Sequence, residues 1–151
     1  MRSFTKISPS LWKSKKFLTL RTDKDRLFYL FALTNNHQIS AGVYHLPTAY
    51  AAEDLGWSSQ EVIDSRKACV SAGLIMFDDE TSELLITQWF VHNPPMNDRH
   101  SKGAKKQIER TQSDFLRTTA LEELKMRMPS ERLTKKKRKP RKLSSRISEI
   151  T

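Results

Sequence analysis

The residues able to do covalent or metal chemistry are few and badly spaced for it. The four histidines, His37, His45, His92 and His100, and the single cysteine, Cys69, fall at none of the short Cys/His separations that hold a metal. The chain has four glycines, and none stands in a G-x-x-x-x-G-K phosphate loop. Asp78 and Asp79 are adjacent acids in a polar turn, where solvated surface is a simpler reading than paired carboxylates. These spacings predict a non-enzymatic protein with no metal and no cofactor. The patterned chemistry is cationic. The chain has 27 Lys and Arg against 17 Asp and Glu, a net charge of +10, and residues 1–100 hold eleven of each sign, so residues 101–151 carry the entire excess. Arg99, Lys102, Lys105, Lys106 and Arg110 follow one another closely. Lys135, Lys136, Lys137, Arg138, Lys139, Arg141 and Lys142 lie in a run, 132–146, without an acid. A neutral body with a basic extension attracts a polyanion. DNA is the first expectation and an anionic membrane surface the second. Phosphate contacts release counterions, so such binding is salt-dependent and indifferent to sequence. A solvated solubility tail is the plain alternative, and KKKRKPRK also fits a nuclear-localisation pattern.

The elements that must position these cations can be read in order. Ser8 to Phe17 predicts a short helix or turn, with Leu11, Trp12 and Phe17 plugging into a core. Thr22 and Asp25 make an N-cap pair, and the following DRLFYLFALTNN is apolar on most faces, as expected of a central helix. Gly42 to Leu46 predicts a strand closed by Pro47. Thr48 to Leu55 predicts a helix ended by Gly56. Ser58 and Glu61 form a capping box for a helix to Ala72, with Val62, Ser65 or Arg66, Cys69 and Ala72 on its inner face. Leu74 to Phe77 and Leu84 to Val91 predict strands joined by the polar turn 78–82. Past Pro94 and Pro95, Asp98 to Arg110 predicts a polar, basic helix. Asp114 to Met128 predicts another, with Leu116, Ala120, Leu124 and Met128 in one row. The composition of 129–151 cannot bury a core. The expected partition is a domain at 1–95, a helical extension at 96–128 and a basic tail at 129–151.

The order helix, strand, helix, tight turn, helix, hairpin is helix-turn-helix geometry with a wing. The fold class is α+β, mostly α, with a three-stranded antiparallel sheet in which the Val43 strand pairs with the hairpin. If the helix from Ser58 reads a major groove, Ser59, Gln60, Ile63 and Lys67 are the candidates, and Gln60 could pair with adenine. Glu61 and Asp64 cancel Arg66 and Lys67, however, and Asp78, Asp79, Glu80 and Glu83 make the wing acidic. Arg66 has two readings: a stem packed on the core with its head reaching solvent, or a phosphate contact. Lys13, Lys15 and Lys16 form a second basic cluster beside Trp12, read first as a solvated face, with contact to the DNA backbone as the alternative.

ISPSLWKSKKF, DRLFYLFAL, GVYHLP, AAEDLGWSSQEV, AGLIMFDDETSELLI and WFVHNPPMN resemble the winged-helix proteins of phage and prophage replication regions, which are similar to the N-terminal domain of DnaD-type primosomal proteins. The resemblance spans residues 1–127. It implies a winged-helix fold and a role in DNA replication as an initiator or organiser that binds DNA and self-associates, with a helicase or helicase loader as a further partner. It implies the cytoplasm of a bacterial host, and the lone cysteine fits a reducing compartment. The Tyr…Ile…Trp motif of the family's second domain does not follow Trp89, and Arg66 stands where such helices are usually apolar. Two other functions fit the residues: a transcriptional regulator reading an operator through Ser58 to Lys67, and an adaptor using the winged helix to bind protein. The N-terminus lacks an apolar segment of signal-peptide length, and no apolar run reaches membrane-spanning length, so nothing is expected to span a membrane, and DNA rather than a membrane is the expected partner.

Overall fold

Polar caps delimit most of the helices. The computed structural model describes residues 2–128; the tail cations Lys135 to Lys142 lie outside them. A 3-10 turn, Pro9–Lys13, runs into α1 (Lys15–Leu18), whose first N–H groups are capped by Ser14. Thr22 caps α2 (Asp23–Thr34). Next come β1 (Val43–His45), α3 (Thr48–Leu55) and α4 (Ser59–Ser71). Gly56 ends α3 in the left-handed region, at φ 67°, where glycine carries no Cβ penalty. Ser58 and Glu61 close the expected capping box on α4. β2 (Ile75–Asp78) and β3 (Glu83–Ile86) form a hairpin, followed by α5 (Trp89–His92), α6 (Asp98–Glu109) and α7 (Asp114–Arg127). The protein is α+β and mostly helical, with one antiparallel sheet of order β1-β3-β2. β1 pairs with the hairpin, as the sequence predicts.

Side-chain alternation divides the sheet into two faces. Leu84 and Ile86 point one way, together with their register partners Tyr44, Phe77 and Ile75. The Tyr44 hydroxyl donates to the Ala32 carbonyl at 2.7 Å, so this face meets α2. Glu83 and Leu85 point the other way with Val43 and Met76. That face meets α7, which lies against all three strands. All four residues of β3 are buried, as a strand covered on both sides requires. The molecule therefore has three layers: α2 to α4, the sheet, and α5 to α7. Ala104, Ile108, Leu116, Ala120 and Leu124 belong to the same core as Phe28, Val62 and Leu84. The boundary expected at residue 95 runs through this core, and residues 96–128 are a layer of the fold rather than an appendage. Burial of Ile108, Leu116 and Leu124 contributes about 2 kcal/mol each.

A carboxylate fixes the third layer. Glu83 is buried at 7% exposure and accepts the backbone N–H groups of Gln112 at 3.0 Å and Ser113 at 2.7 Å. Its register partner is Asp78, and two acids facing each other across strands would repel. The N-terminal end of α7 supplies the opposing partial positive charge. The Ser113 hydroxyl, and then the N–H groups of Glu80 and Thr81, hold the Asp78 carboxyl below its ordinary pKa. A lowered pKa stabilises the fold above the usual Asp range, and that contribution is lost as pH falls through the folded value.

Four expectations are corrected. The strand expected over 84–91 stops at Ile86, because Thr87 turns inward, its hydroxyl donating to the Gly73 and Leu74 carbonyls at 2.7 and 3.0 Å. Gln88 then takes a left-handed φ of 56°, and Trp89 folds back to donate its indole N–H to the Ser40 carbonyl at 2.9 Å. The Trp89 side chain passes so close to Gly42 that a Cβ there would lie 2.2 Å from Cγ of the ring. Trp12 does not enter the core: it is 61% exposed, while Phe17 is fully buried and Leu11 packs partly. In α2 the buried side chains are Phe28, Tyr29 and Ala32, and Leu27 is exposed, since α4 covers one side of that helix. Met128, expected in the inner row of α7, is its exposed C-cap residue.

Glu83→Ala should lower the unfolding free energy by about 2 kcal/mol, because it strands the buried Ser113 N–H and removes the partner of the half-buried Gln112 N–H. Denaturant unfolding measures this, and a loss below about 1 kcal/mol would show that the third layer is held by apolar packing alone.

Candidate nucleic-acid interface

The outer face of α4 follows from its inner one. Val62, Ser65, Arg66 and Cys69 are buried, so Gln60, Asp64, Lys67 and Ser71 line the opposite side, all exposed. The Gln60 amide donates to Asp64 Oδ1 at 2.8 Å, so the group expected to read adenine is tied along its own helix. Ser59 is exposed and Ile63 half-buried. At the start of α4, the Lys24 ammonium bonds the Glu61 carboxylate and stands 5.3 Å from the centre of the Trp57 ring. Chiefly through that bond, Lys24 holds the Glu61 carboxyl below its ordinary range. One anion and one cation thus neutralise each other where a groove-reading helix presents donors.

Arg66 is placed by neither sequence reading. Its side chain is 8% exposed, so the head packs inside the fold instead of extending into open solvent. The guanidinium stacks 3.8 Å from the Phe77 ring centre, donates to the Thr48 hydroxyl at 2.8 Å and lies 3.6 Å from Asp79. Burial lowers its pKa, and Asp79 opposes that shift. Arg66 therefore clamps α4, the start of α3 and the hairpin together. The sequence hid this because Phe77 and Thr48 lie far from it along the chain. The hairpin turn stays acidic, with Asp79 and Glu80 exposed.

α6 concentrates the cations. Ser101, Ala104 and Ile108 are its buried face. Arg99, Lys102, Lys106 and Arg110 recur at i, i+3, i+7 and i+11 and form the opposite stripe, all exposed. At 1.5 Å per residue the stripe is about 16 Å long. Lys105 lies off it and pairs with Glu109 at 3.9 Å. None of the four stripe cations has an acidic partner within 4.0 Å among the described residues. Gly103 also faces outward, and nothing lies within 4 Å of the Cβ it lacks. A mid-helix glycine costs about 1 kcal/mol relative to alanine, and internal packing does not account for this one. The cations of this stretch are visible in the sequence, but only the buried face separates the four-residue stripe from Lys105.

Among the described residues no group of three or more His, Cys, Asp and Glu could hold a metal ion, and no helix is long and apolar enough to cross a membrane. No protein-family model, curated protein or solved structure matches the chain.

Arg66→Ala should cost about 2 kcal/mol in stability, through the lost desolvated cation–π contact and the Thr48 bond, yet leave DNA affinity within about twofold. A larger affinity loss, measured by titration at a temperature where the variant is folded, would return Arg66 to the interface.

Proposed function

We propose that the chain is a non-enzymatic winged-helix protein that binds the DNA backbone through α6 and the basic residues that follow, in phage-type DNA replication initiation or organisation. The element order and the sheet order β1-β3-β2 support the winged-helix reading: α2, α3 and α4 stand as the three helices, and the β2–β3 turn as the wing. The replication role comes from the resemblance of the residue runs described above, as do self-association and a helicase or helicase loader as partner.

The observation that carries the DNA reading is the α6 stripe of Arg99, Lys102, Lys106 and Arg110, exposed, without an acidic partner among the described residues, and carried on a helix whose other face is buried in the core. A phosphate backbone offers such a stripe charge without sequence. Gly103, open beside it, would let a ligand's backbone approach the helix closely. A second reading, a protein-binding adaptor, is favoured by the neutral outer face of α4 and the acidic turn at Asp79 and Glu80. Both surfaces repel or ignore phosphate and would suit a protein partner instead. An operator reader is less well supported, since Gln60 is tied to Asp64.

Each neutralised phosphate contributes about 0.9 to the slope of log affinity against log salt on duplex DNA. Replacing Arg99, Lys102, Lys106 and Arg110 with alanine should flatten that slope by about 3 to 4 and weaken binding on every sequence. Deleting residues 132–151 should flatten it further. An unchanged slope in the quadruple variant would remove α6 from the interface, and a loss confined to one sequence would favour the operator reader. Gly103→Ala separates stability from contact: it should raise unfolding free energy by about 0.5–1 kcal/mol while lowering DNA affinity. Raised stability with unchanged affinity would mean that nothing approaches α6 so closely.

A further inference from the structure

Trp12 raises a question that packing does not answer. It is 61% exposed, on a short 3-10 turn rather than a long mobile loop. Ser8 accepts the Ser10 N–H at 3.2 Å, and Ser14 accepts the Phe17 N–H at 3.5 Å, so hydroxyls fix both ends of the turn. Phe17, wholly buried, holds the indole edge-on, with ring centres 5.4 Å apart and planes at 83°. The ring is thus oriented by the core without being covered by it. An indole held this way offers a large, rigid, amphipathic face for contact.

Its surroundings are cationic. Residues 2–22 contain Arg2, Lys6, Lys13, Lys15, Lys16 and Arg21 and no acid. Lys13, Lys15 and Arg21 are exposed, and none has an acidic partner within 4.0 Å among the described residues. α1 follows the turn directly, and between α1 and the end of α4 runs an open groove lined by Lys15, Lys16, Thr19, Arg21 and Ser71. Lys16 Nζ donates to the Gly73 carbonyl at 3.3 Å and so forms part of its wall. A single acid, Asp25, reaches the groove, and it is half-buried.

We propose that Trp12 and this groove bind single-stranded nucleic acid: an unpaired base stacks on the indole while Lys13, Lys15 and Arg21 hold the adjoining phosphates. The combination of an aromatic platform and a cationic groove serves this ligand because every unpaired base offers a π-face and every linkage a charge. A duplex does not fit the platform, since its base faces are already stacked. The surface is separate from the α6 stripe, so the proposal shares with the DNA reading only the class of ligand. A chain with a backbone-gripping stripe for duplex and a stacking platform for strands would hold DNA where it opens.

The test is fluorescence anisotropy of the full chain with labelled oligo-dT and with a duplex of the same length. Trp12→Ala should lower affinity for oligo-dT about tenfold and leave duplex affinity within about twofold, and Trp12→Phe should recover most of the loss. Replacing Lys13, Lys15 and Arg21 with glutamine should flatten the salt slope on oligo-dT. Because Trp12 is exposed, the variants should melt like the parent chain, and a thermal melt checks this. The proposal is overturned if Trp12→Ala binds oligo-dT within twofold of the parent, or if it weakens strand and duplex equally. It is also overturned if Trp12→Ala loses binding to phosphatidylserine vesicles while its oligo-dT affinity is unchanged, which would make the turn a membrane anchor. The α6 quadruple variant keeps the two readings apart: if it retains full duplex affinity, the α6 reading fails, and the Trp12 dependence on oligo-dT still stands or falls alone.

Discussion

A carboxylate inside the protein organises the half of the molecule that carries the cations. Glu83 sits on the central strand with its oxygens on the N–H groups of Gln112 and Ser113. A charge buried there would be costly alone. It is tolerable because two backbone donors and the start of α7 meet it, and the same requirement holds α7 in place. With the start of α7 fixed, its row of Leu116, Ala120 and Leu124 can seat on the sheet, and the turn before it fixes where α6 comes back. The basic stripe is therefore presented by the core of the fold. Geometry held this way reduces the ordering cost of binding.

The same economy of charge operates on the other side of the sheet with the opposite result. Arg66 spends its guanidinium on Phe77, Thr48 and Asp79. Lys24 is bonded to Glu61, and Gln60 to Asp64. Of the groups a groove-reading α4 would need, Arg66 and Gln60 are engaged within the chain, Lys67 stays exposed on the same face as Asp64, and the hairpin turn adds acids. Charge is thus sorted by layer: mostly internal pairing around α4, and on α6 a stripe of four cations without an acidic partner among the described residues. A protein that must hold DNA irrespective of sequence needs only the second.

Much of this was legible in the sequence where a local rule decided it. The capping box at Ser58 and Glu61 and the stop at Gly56 follow from short-range chemistry, and the pairing of the Val43 strand with the hairpin follows from the order of the elements. The cations of α6 were visible as a list. What was not legible depended on partners distant in the chain. Glu83 read as a wing acid because nothing local announces that residues 112 and 113 will return to it. Residues 96–128 read as an extension because α6 looks almost wholly polar until α7 covers its narrow row of Ser101, Ala104 and Ile108. Trp12 read as core because large aromatics usually are, and the hydroxyl-capped turn that holds it outside has no strong signature. Arg66 read as ambiguous because its pocket is assembled from three elements.

The division between an engaged α4 and an available α6 can be read directly by hydrogen exchange of the full chain with and without duplex DNA at low salt. The account predicts slower exchange in α6 and at the α6–α7 turn on binding, with the amides of α4 from Ser59 to Lys67 unchanged. Protection concentrated in α4 and the β2–β3 turn, with α6 exchanging as in the free protein, would contradict it.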